Sequence, residues 1–312
     1  MSITDSVKLP PAVKDYYDRI ILMTAYPNLI YGRASQKRTL PEKMGTNVLF
    51  RRYPKLSTVP IPLKEGVTPQ GTELSVVDIK ATVSLYGNYV TINDQVQYTV
   101  QDKVLNEAAK LLGQNMGQTY DEVTRDVLAS TSSVIICSNG QNESTPTELT
   151  KKDIDAAIKT LITNDAKMIS EVITGSTSIT TTPIRPAFLG FIHSNLLDDL
   201  ETVSNFVDTS RYSKQTILDY EWGATGNVRW TYTSAGSVTS GSPDVYNNII
   251  VGKEASAVVN LKGDTGDFYI KPLGSSGSSD PLNQRGTVGW KHGFTARILN
   301  DSFAVNLMSS HS

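Results

Sequence analysis

The residues best suited to chemistry are few: three histidines, one cysteine and one Asp-Thr-Gly triplet in 312 residues. His193, His292 and His311 lie far apart, with no cysteine or carboxylate at the spacing a zinc site needs. Cys137 ends the apolar run SSVIIC with no Lys, Arg or His nearby. A reactive thiolate needs an electropositive setting, so Cys137 reads as a small buried hydrophobe. It could pair with His193 as nucleophile and base, but nothing local supports that. Asp264-Thr265-Gly266 has the short form of an aspartic protease signature. It follows Lys262-Gly263 and precedes Asp267, so the apolar flanks of a buried dyad are missing and a β-turn is expected. Neither a GxxxxGK[ST] loop nor a GxGxxG fingerprint occurs. GSSG at 274–277 lacks the strand–turn–helix setting of a nucleophile elbow. The sequons at Asn142 and Asn300 have no secretion signal to make them relevant. The expectation is a chain that is not an enzyme and holds no cofactor or metal.

Composition points the same way. Hydrophobic residues make up 39% and charged residues 19%, enough apolar material for a large core. The formal net charge is −2, so the chain as a whole is no strong polyanion binder. One cysteine excludes an intrachain disulfide. The start, MSITDSVKLPPAV, lacks a basic-then-apolar signal pattern, and no apolar run nears the ~18 residues of a membrane span. Maturation in a reducing cytoplasm is expected, without membrane contact. Charge is uneven, however. Residues 1–60 hold ten basic residues against Asp5, Asp15, Asp18 and Glu42. Such a basic arm suits either a solvated surface or docking on an acidic neighbour.

Hydrophobic periodicity supplies the elements. A short helix is expected from about Pro11 to Met23, then extended chain. Strands are expected at Val48–Tyr53 and Asp78–Ile92, with a bulge or bend at Tyr86-Gly87 where the apolar parity changes. Between them, Pro54 to Pro69 carries four prolines and few large apolar groups. Proline cannot donate to a sheet ladder, so this long hairpin is poorly equipped to bury itself. The strongest signal runs from Gln101 to Ala129. Val104, Ala108, Leu111, Leu112, Met116, Tyr120, Val123 and Val127 recur at steps of three and four, one face of a helix. Lys103–Glu107 and Asp121–Arg125 are spaced for i,i+4 pairs. Gly113 and Gly117 lie one turn apart inside it, either simply tolerated or suited to close packing or to a bend.

A second helix after Thr150 carries Ile154, Ala157, Ile158, Leu161 and Ile162 on one face. Met168–Ile173 reads as a strand. Ala187–His193 is a continuous apolar strand of the kind buried on both faces, followed by a helix capped by Ser194. Further strands are expected at Asn227–Thr233, Tyr246–Gly252, Ala255–Leu261, Asp267–Lys271, Thr287–Ile298 and Phe303–Leu307. The fold class is α+β, with one exposed hairpin preceding one long helix.

Seven stretches in this order carry a family resemblance: NVLFRRY (47–53), PLKEGVTPQGTEL (62–74), IKATVSLYGNYVTIND (79–94), LGFIHSNLLDDL (189–200), EWGATGNVRW (221–230), VYNNIIVG (245–252) and DPLNQRGTVGWKHGFTARILN (280–300). They resemble the tailed-bacteriophage major capsid proteins, specifically the phage N-four-type family with the Hong Kong ninety-seven fold. The likeness spans roughly residues 45 to 308. It implies an N-terminal arm over 1–45, an extended β-hairpin E-loop over 46–94, a P-domain with its spine helix over 95–165, mainly A-domain over 166–252, and returning P-domain strands with the C-terminus over 253–312. It further implies hexamers and pentamers that build an icosahedral head around double-stranded DNA, assembled in the host cytoplasm. The implied partners are other copies of the chain, a separate scaffolding protein, a portal, a decoration protein and packaged DNA held non-specifically. Intersubunit contacts are expected at Arg51, Arg52, Lys64 and Glu65 on the hairpin and at Lys103, Glu107 and Arg125 on the helix. Lys64 also invites comparison with the E-loop lysine that crosslinks some members of this fold, although no local motif supports isopeptide chemistry. Two alternatives stand beside this reading: an encapsulin-like compartment of the same fold, and a hydrolase using Asp264 or His193.

Overall fold

The structure is a computed structural model that describes residues 30–41, 43–60, 62, 65–66, 68, 71–94, 104–171, 185–211, 217–261, 266–273, 275 and 280–311. The helix expected over Pro11–Met23, and the residues Lys64, Lys103 and Asp264, lie outside this set.

In chain order the strands are β1 (Gln36–Leu40), β2 (Asn47–Arg52), β3 (Val77–Thr82), β4 (Ser84–Asn93), β5 (Val134–Ile136), β6 (Phe188–His193), β7 (Phe206–Asp208) and β8 (Glu221–Thr225). They continue with β9 (Val228–Thr233), β10 (Ser237–Thr239), β11 (Val245–Val251), β12 (Ser256–Leu261), β13 (Asp267–Lys271), β14 (Arg285–Ile298) and β15 (Ala304–Ser310). The α-helices are α1 (Val104–Ala129), α2 (Lys151–Thr163) and α3 (Leu197–Thr202). Among the described residues they form a five-stranded sheet, an eight-stranded sheet and a separate two-stranded ribbon.

The five-stranded sheet is organised by β14, which pairs antiparallel with β4, β12 and β13. Strand β1 closes one edge, parallel to β12. Helix α1 lies on one face of this sheet. Its Ala108, Ala109, Leu112 and Met116 pack with Ile92, Phe268, Val288 and Trp290. Further along, Tyr120 meets Val258, Phe294 and Ala296. Trp290 Nε1 and Asn88 Nδ2 both donate to Asn115 Oδ1, each at 3.1 Å, so the polar groups at this interface are satisfied. The periodicity located the helix well, but Leu111 is exposed while Leu128, absent from the expected face, is fully buried. Gly113 and Gly117 are buried, and the helix runs unbroken past them.

The eight-stranded sheet runs β5-β15-β11-β6-β9-β8-β7, with β10 added on β11. Its β6 is covered on both faces, as its unbroken apolar sequence demands. Phe188 and Ile192 pack on one side with Ile154, Ala157, Ile158 and Leu161 of α2, while Leu189 and Phe191 pack on the other with Tyr31 and Leu128. Ile162 of α2 is exposed, not part of the buried face. Helix α2 starts with a capping box: Thr150 and Asp153 exchange side-chain and backbone hydrogen bonds. Asp153 also accepts from the backbone N–H of Ser138 and Gly140, tying the preceding loop to the helix.

Several boundaries differ from expectation for physical reasons. The strand expected over 78–92 is two strands, broken at Val83, because β3 pairs only with β2 whereas β4 joins β14. The face changes there, with Ala81 and Val83 buried and Leu85 exposed. Gly87 marks no bend; it permits close approach, since a Cβ would stand 2.7 Å from the Trp290 carbonyl oxygen. His193, not Ser194, caps the turn that leads into α3, its Nδ1 accepting from the Asn195 N–H at 3.1 Å. Of the strand expected at Met168–Ile173, only a bridge between Ser170 and Ala187 is found among the described residues. Strands β5 and β15 enter the eight-stranded sheet, not the sheet of β14.

Strand β6 lies so close to β9 that Gly190 has no room for a side chain. A Cβ there would sit 2.5 Å from Trp230 Cε3 and 2.8 Å from Val228 Cγ1. Gly190→Ala is therefore expected to destabilise the fold by about 1–3 kcal/mol, the usual cost of overpacking. Urea denaturation of both proteins measures it; an unchanged midpoint would show that β9 moves aside freely.

Candidate assembly surfaces

The ribbon of β2 and β3 and the chain between them form the most exposed part of the described molecule. Only its base is buried: Ala81 and Val83 pack with Leu40 and Val259. Beyond that base, Leu49, Tyr53, Leu56, Val59, Leu74, Val76 and Val77 are 38% to 72% exposed. An apolar series this long, on a two-stranded ribbon, has no packing partner within the described chain, and such ribbons are marginal alone. Its attachments are polar. Arg51 Nε donates to Asp78 Oδ1 at 3.0 Å across the strand pair, Arg52 Nη1 donates to Asn300 Oδ1 at 2.5 Å, and Lys55 pairs with Asp165. Exposed pairs of this kind contribute little stability. Glu65 is exposed in the turn at the tip.

The other expected contact residues sit on α1. Glu107 pairs with Lys110 at 2.9 Å. Arg125 does not bond Asp121, its i,i+4 neighbour; it pairs with Asp126 and donates through Nη1 to the Ala235 carbonyl at 2.7 Å.

A second surface lies on the face of the five-stranded sheet opposite α1. Leu85, Tyr89 and Tyr269 project there around a groove of about 340 Å³ whose floor includes Gly87 and Gly289. A Cβ on Gly289 would stand 2.7 Å from Tyr89 Cβ, so the missing side chain lets β4 and β14 approach at this point. Lys271 and Lys291 rim the groove.

Asp121 anchors the incoming chain. It lies on the buried face of α1, 4% exposed, and its Oδ1 accepts the backbone N–H of Ile30 at 2.9 Å and of Tyr31 at 2.8 Å. Tyr31 packs against Phe191 with ring centroids 4.6 Å apart. Residues 30–34 are thereby wedged between α1 and the eight-stranded sheet before the chain continues into β1. Burial pushes the Asp121 carboxyl up to about 6, opposed by the two N–H donors and by the charges of Arg125 and Arg33. No sequence signal singled out Asp121, because at 100° per residue it lies off the stripe of Leu112, Met116 and Val123.

The residues considered for catalysis are separated and committed elsewhere. His292 is buried in an aromatic group with Phe294 and Tyr120, with ring centroids 5.3 and 6.4 Å away. His193 caps its turn, and His311 faces Asp199. Cys137 is fully buried, and burial pushes its thiol well above the usual range. No group of three or more His, Cys, Asp or Glu able to hold a metal occurs among the described residues. No helix among them is long and apolar enough to cross a membrane. Sequence reasoning missed the bidentate pair of Arg229 with Glu221, buried across β8 and β9, with Nε to Oε1 at 2.7 Å and Nη2 to Oε2 at 2.5 Å.

No family model matches the sequence, and no curated protein matches it. Solved structures do. The capsid of Ralstonia phage GP4 superposes with a TM-score of 0.65 at 12% identity, covering 91% of this chain and 88% of its own. The acid-stable capsid of Helicobacter pylori bacteriophage KHP30 gives 0.62 at 11% identity, covering 88% and 87%. A virus-like particle from Pyrococcus furiosus gives 0.53 at 11% identity, covering 94% and 98%. At such identities the likeness establishes the fold, which is α+β and of the Hong Kong ninety-seven type, as the sequence resemblance implied.

The Asp121 anchor has a pH signature. The folded chain holds the proton on this carboxyl more tightly than the unfolded chain, where an aspartate titrates near ~3.9. The associated stability is complete below about pH 4 and is lost as pH rises through about 6. Wild type should therefore lose stability relative to Asp121→Asn between pH 4 and 7, read from urea midpoints at both. A difference that stays constant with pH would refute the buried titration.

Proposed function

We propose that this chain is the major capsid protein of a tailed phage, a structural subunit that self-assembles into hexamers and pentamers of an icosahedral shell around double-stranded DNA. One observation carries this reading: a chain with the capsid-subunit fold leaves its β2–β3 hairpin apolar and exposed, so its burial is completed by another copy. The domain scheme follows from the resemblance, with an arm over 1–45, a hairpin E-loop over 46–94, P-domain over 95–165, mainly A-domain over 166–252 and returning strands over 253–312. Arg51, Arg52, Lys64, Glu65, Lys103 and Glu107 are proposed to face neighbouring copies. Arg125, tied to its own Ala235, contributes through its remaining exposed edge.

The shell resides in the virion and assembles in the host cytoplasm, with a separate scaffolding protein, a portal and a decoration protein as partners. A near-neutral wall suits packaged DNA, since strong cationic contacts would hold its phosphates and resist sliding. No catalysis is assigned. A second reading is an encapsulin-like compartment, supported by the end-to-end match to the Pyrococcus furiosus particle. It differs in assembling without scaffold around a protein cargo.

Deleting Leu63 to Leu74 should leave a folded subunit that no longer closes shells. Light scattering and electron microscopy of wild type and deletion, with and without scaffold, decide it. Normal shells from the deletion variant would remove the hairpin from the assembly role, and a wild-type chain that stays monomeric under every condition would sink the capsid reading.

A further inference from the structure

A cavity of about 240 Å³ opens where α1 meets the chain after β9. Asp121, Gln118, Ser194, Tyr220, Tyr232 and Thr233 are among the residues that line it. Asp121 is the only charged side chain among the described residues of that lining, and both N–H groups it receives go to Oδ1. Its Oδ2 makes no hydrogen bond among the described residues. Tyr220 and Tyr232 meet edge to face, with centroids 6.2 Å apart at 84°. Tyr220 has φ +60°, a left-handed conformation that a bulky aromatic side chain adopts only under constraint. The fold thus holds two tyrosine rings and one open carboxylate oxygen around the same space.

We propose that this cavity is a binding site for a primary alkylammonium group. The carboxylate supplies a charge-assisted hydrogen bond and the tyrosine rings a cation–π attraction. A single open oxygen suits the point charge of an ammonium better than a guanidinium, which seeks two parallel acceptors. Tight calcium or magnesium sites draw charge from more than one carboxylate, and Asp121 is the one carboxylate among the described lining residues. The neighbouring cations are engaged elsewhere: Arg125 bonds Ala235 and Asp126, and Arg33 pairs with Asp219. The ammonium can come from a lysine of a second copy or from a free amine. The assignment of the cavity does not rest on the capsid reading; only the choice of source does.

The test is calorimetric titration of the full-length subunit with n-butylammonium chloride, against sodium chloride and guanidinium chloride at equal, low concentration. Wild type should bind n-butylammonium saturably and in preference to both. Asp121→Asn keeps an oxygen for the Ile30 and Tyr31 N–H groups while removing the charge, and should weaken binding about tenfold or more. Tyr220→Gly removes the ring and accepts the positive φ without strain, so it should weaken binding even if the first variant folds poorly.

Wild-type affinity should fall as pH drops through about 6, while the amine stays protonated, and Asp121→Asn should lack that step. The other charged or titratable groups around Asp121 are Arg33, Arg125, Asp126 and Tyr31, together with Tyr220 and Tyr232 in the lining. His193, adjacent through Gly236, is pushed below its ordinary value by burial. Assembled shells distinguish the sources. If a neighbour's lysine fills the cavity, shells refuse the probe and Asp121→Asn assembles less well. If a free amine does, shells take up the probe as subunits do. Absence of saturable binding to wild-type subunits, or equal affinity in Asp121→Asn, overturns the proposal.

Discussion

One helix, α1, has to serve two sheets. Along its length of about 39 Å it covers the five-stranded sheet with Ala109, Leu112 and Met116, then delivers Leu128 into the core behind the eight-stranded sheet. Among the described residues no strand pair links the two sheets, so their relation depends on this shared helix and on the chain that crosses between them. The requirement accounts for the composition of the helix. Small residues at Ala108 and Ala109 allow close approach to β14. The polar residues Asn115 and Asp121 are tolerated because each has fixed hydrogen-bond partners, Trp290 and Asn88 for the first and two backbone N–H groups for the second.

The hairpin follows the opposite logic. The two sheets bury most of their apolar side chains within the chain, including residues as large as Trp230 and Phe294. The hairpin buries its base and leaves Leu49, Tyr53, Leu56, Val59, Leu74, Val76 and Val77 in solvent. Within one chain this costs stability, because apolar area gains nothing until it leaves water. In an assembly the same area becomes the gain of association. The prolines between its strands limit uncontrolled edge pairing in the meantime. A segment of this kind makes sense when folding and assembly are separate steps.

The sequence was read well wherever structure follows from local periodicity. Helices α1 and α2, both-face burial of β6 and most late strands emerged near their observed limits. Misreadings fell where a distant partner overrode a local pattern. The break at Val83 arises because two different strands claim its two sides. The capping role of His193 depends on ring placement, and Asp121 ignores Arg125 four residues away in favour of backbone groups ninety-one residues earlier. Of the candidate surfaces, the hairpin was legible from its prolines. The Tyr89–Tyr269 groove and the Asp121 cavity were not, since each is assembled from segments far apart in the chain.

By itself, the sequence determined the two longer helices, most of the longer strands, the α+β class, the exposed hairpin and the family likeness, because periodicity, turn chemistry and motif order are all written in consecutive residues. Only the tertiary structure decided the short strands, which sheet each strand joins, that one helix serves both sheets, and where buried charge goes. A buried carboxylate or ion pair takes whichever donors the packed fold presents, and for Asp121 those donors are carried in from the far end of the chain.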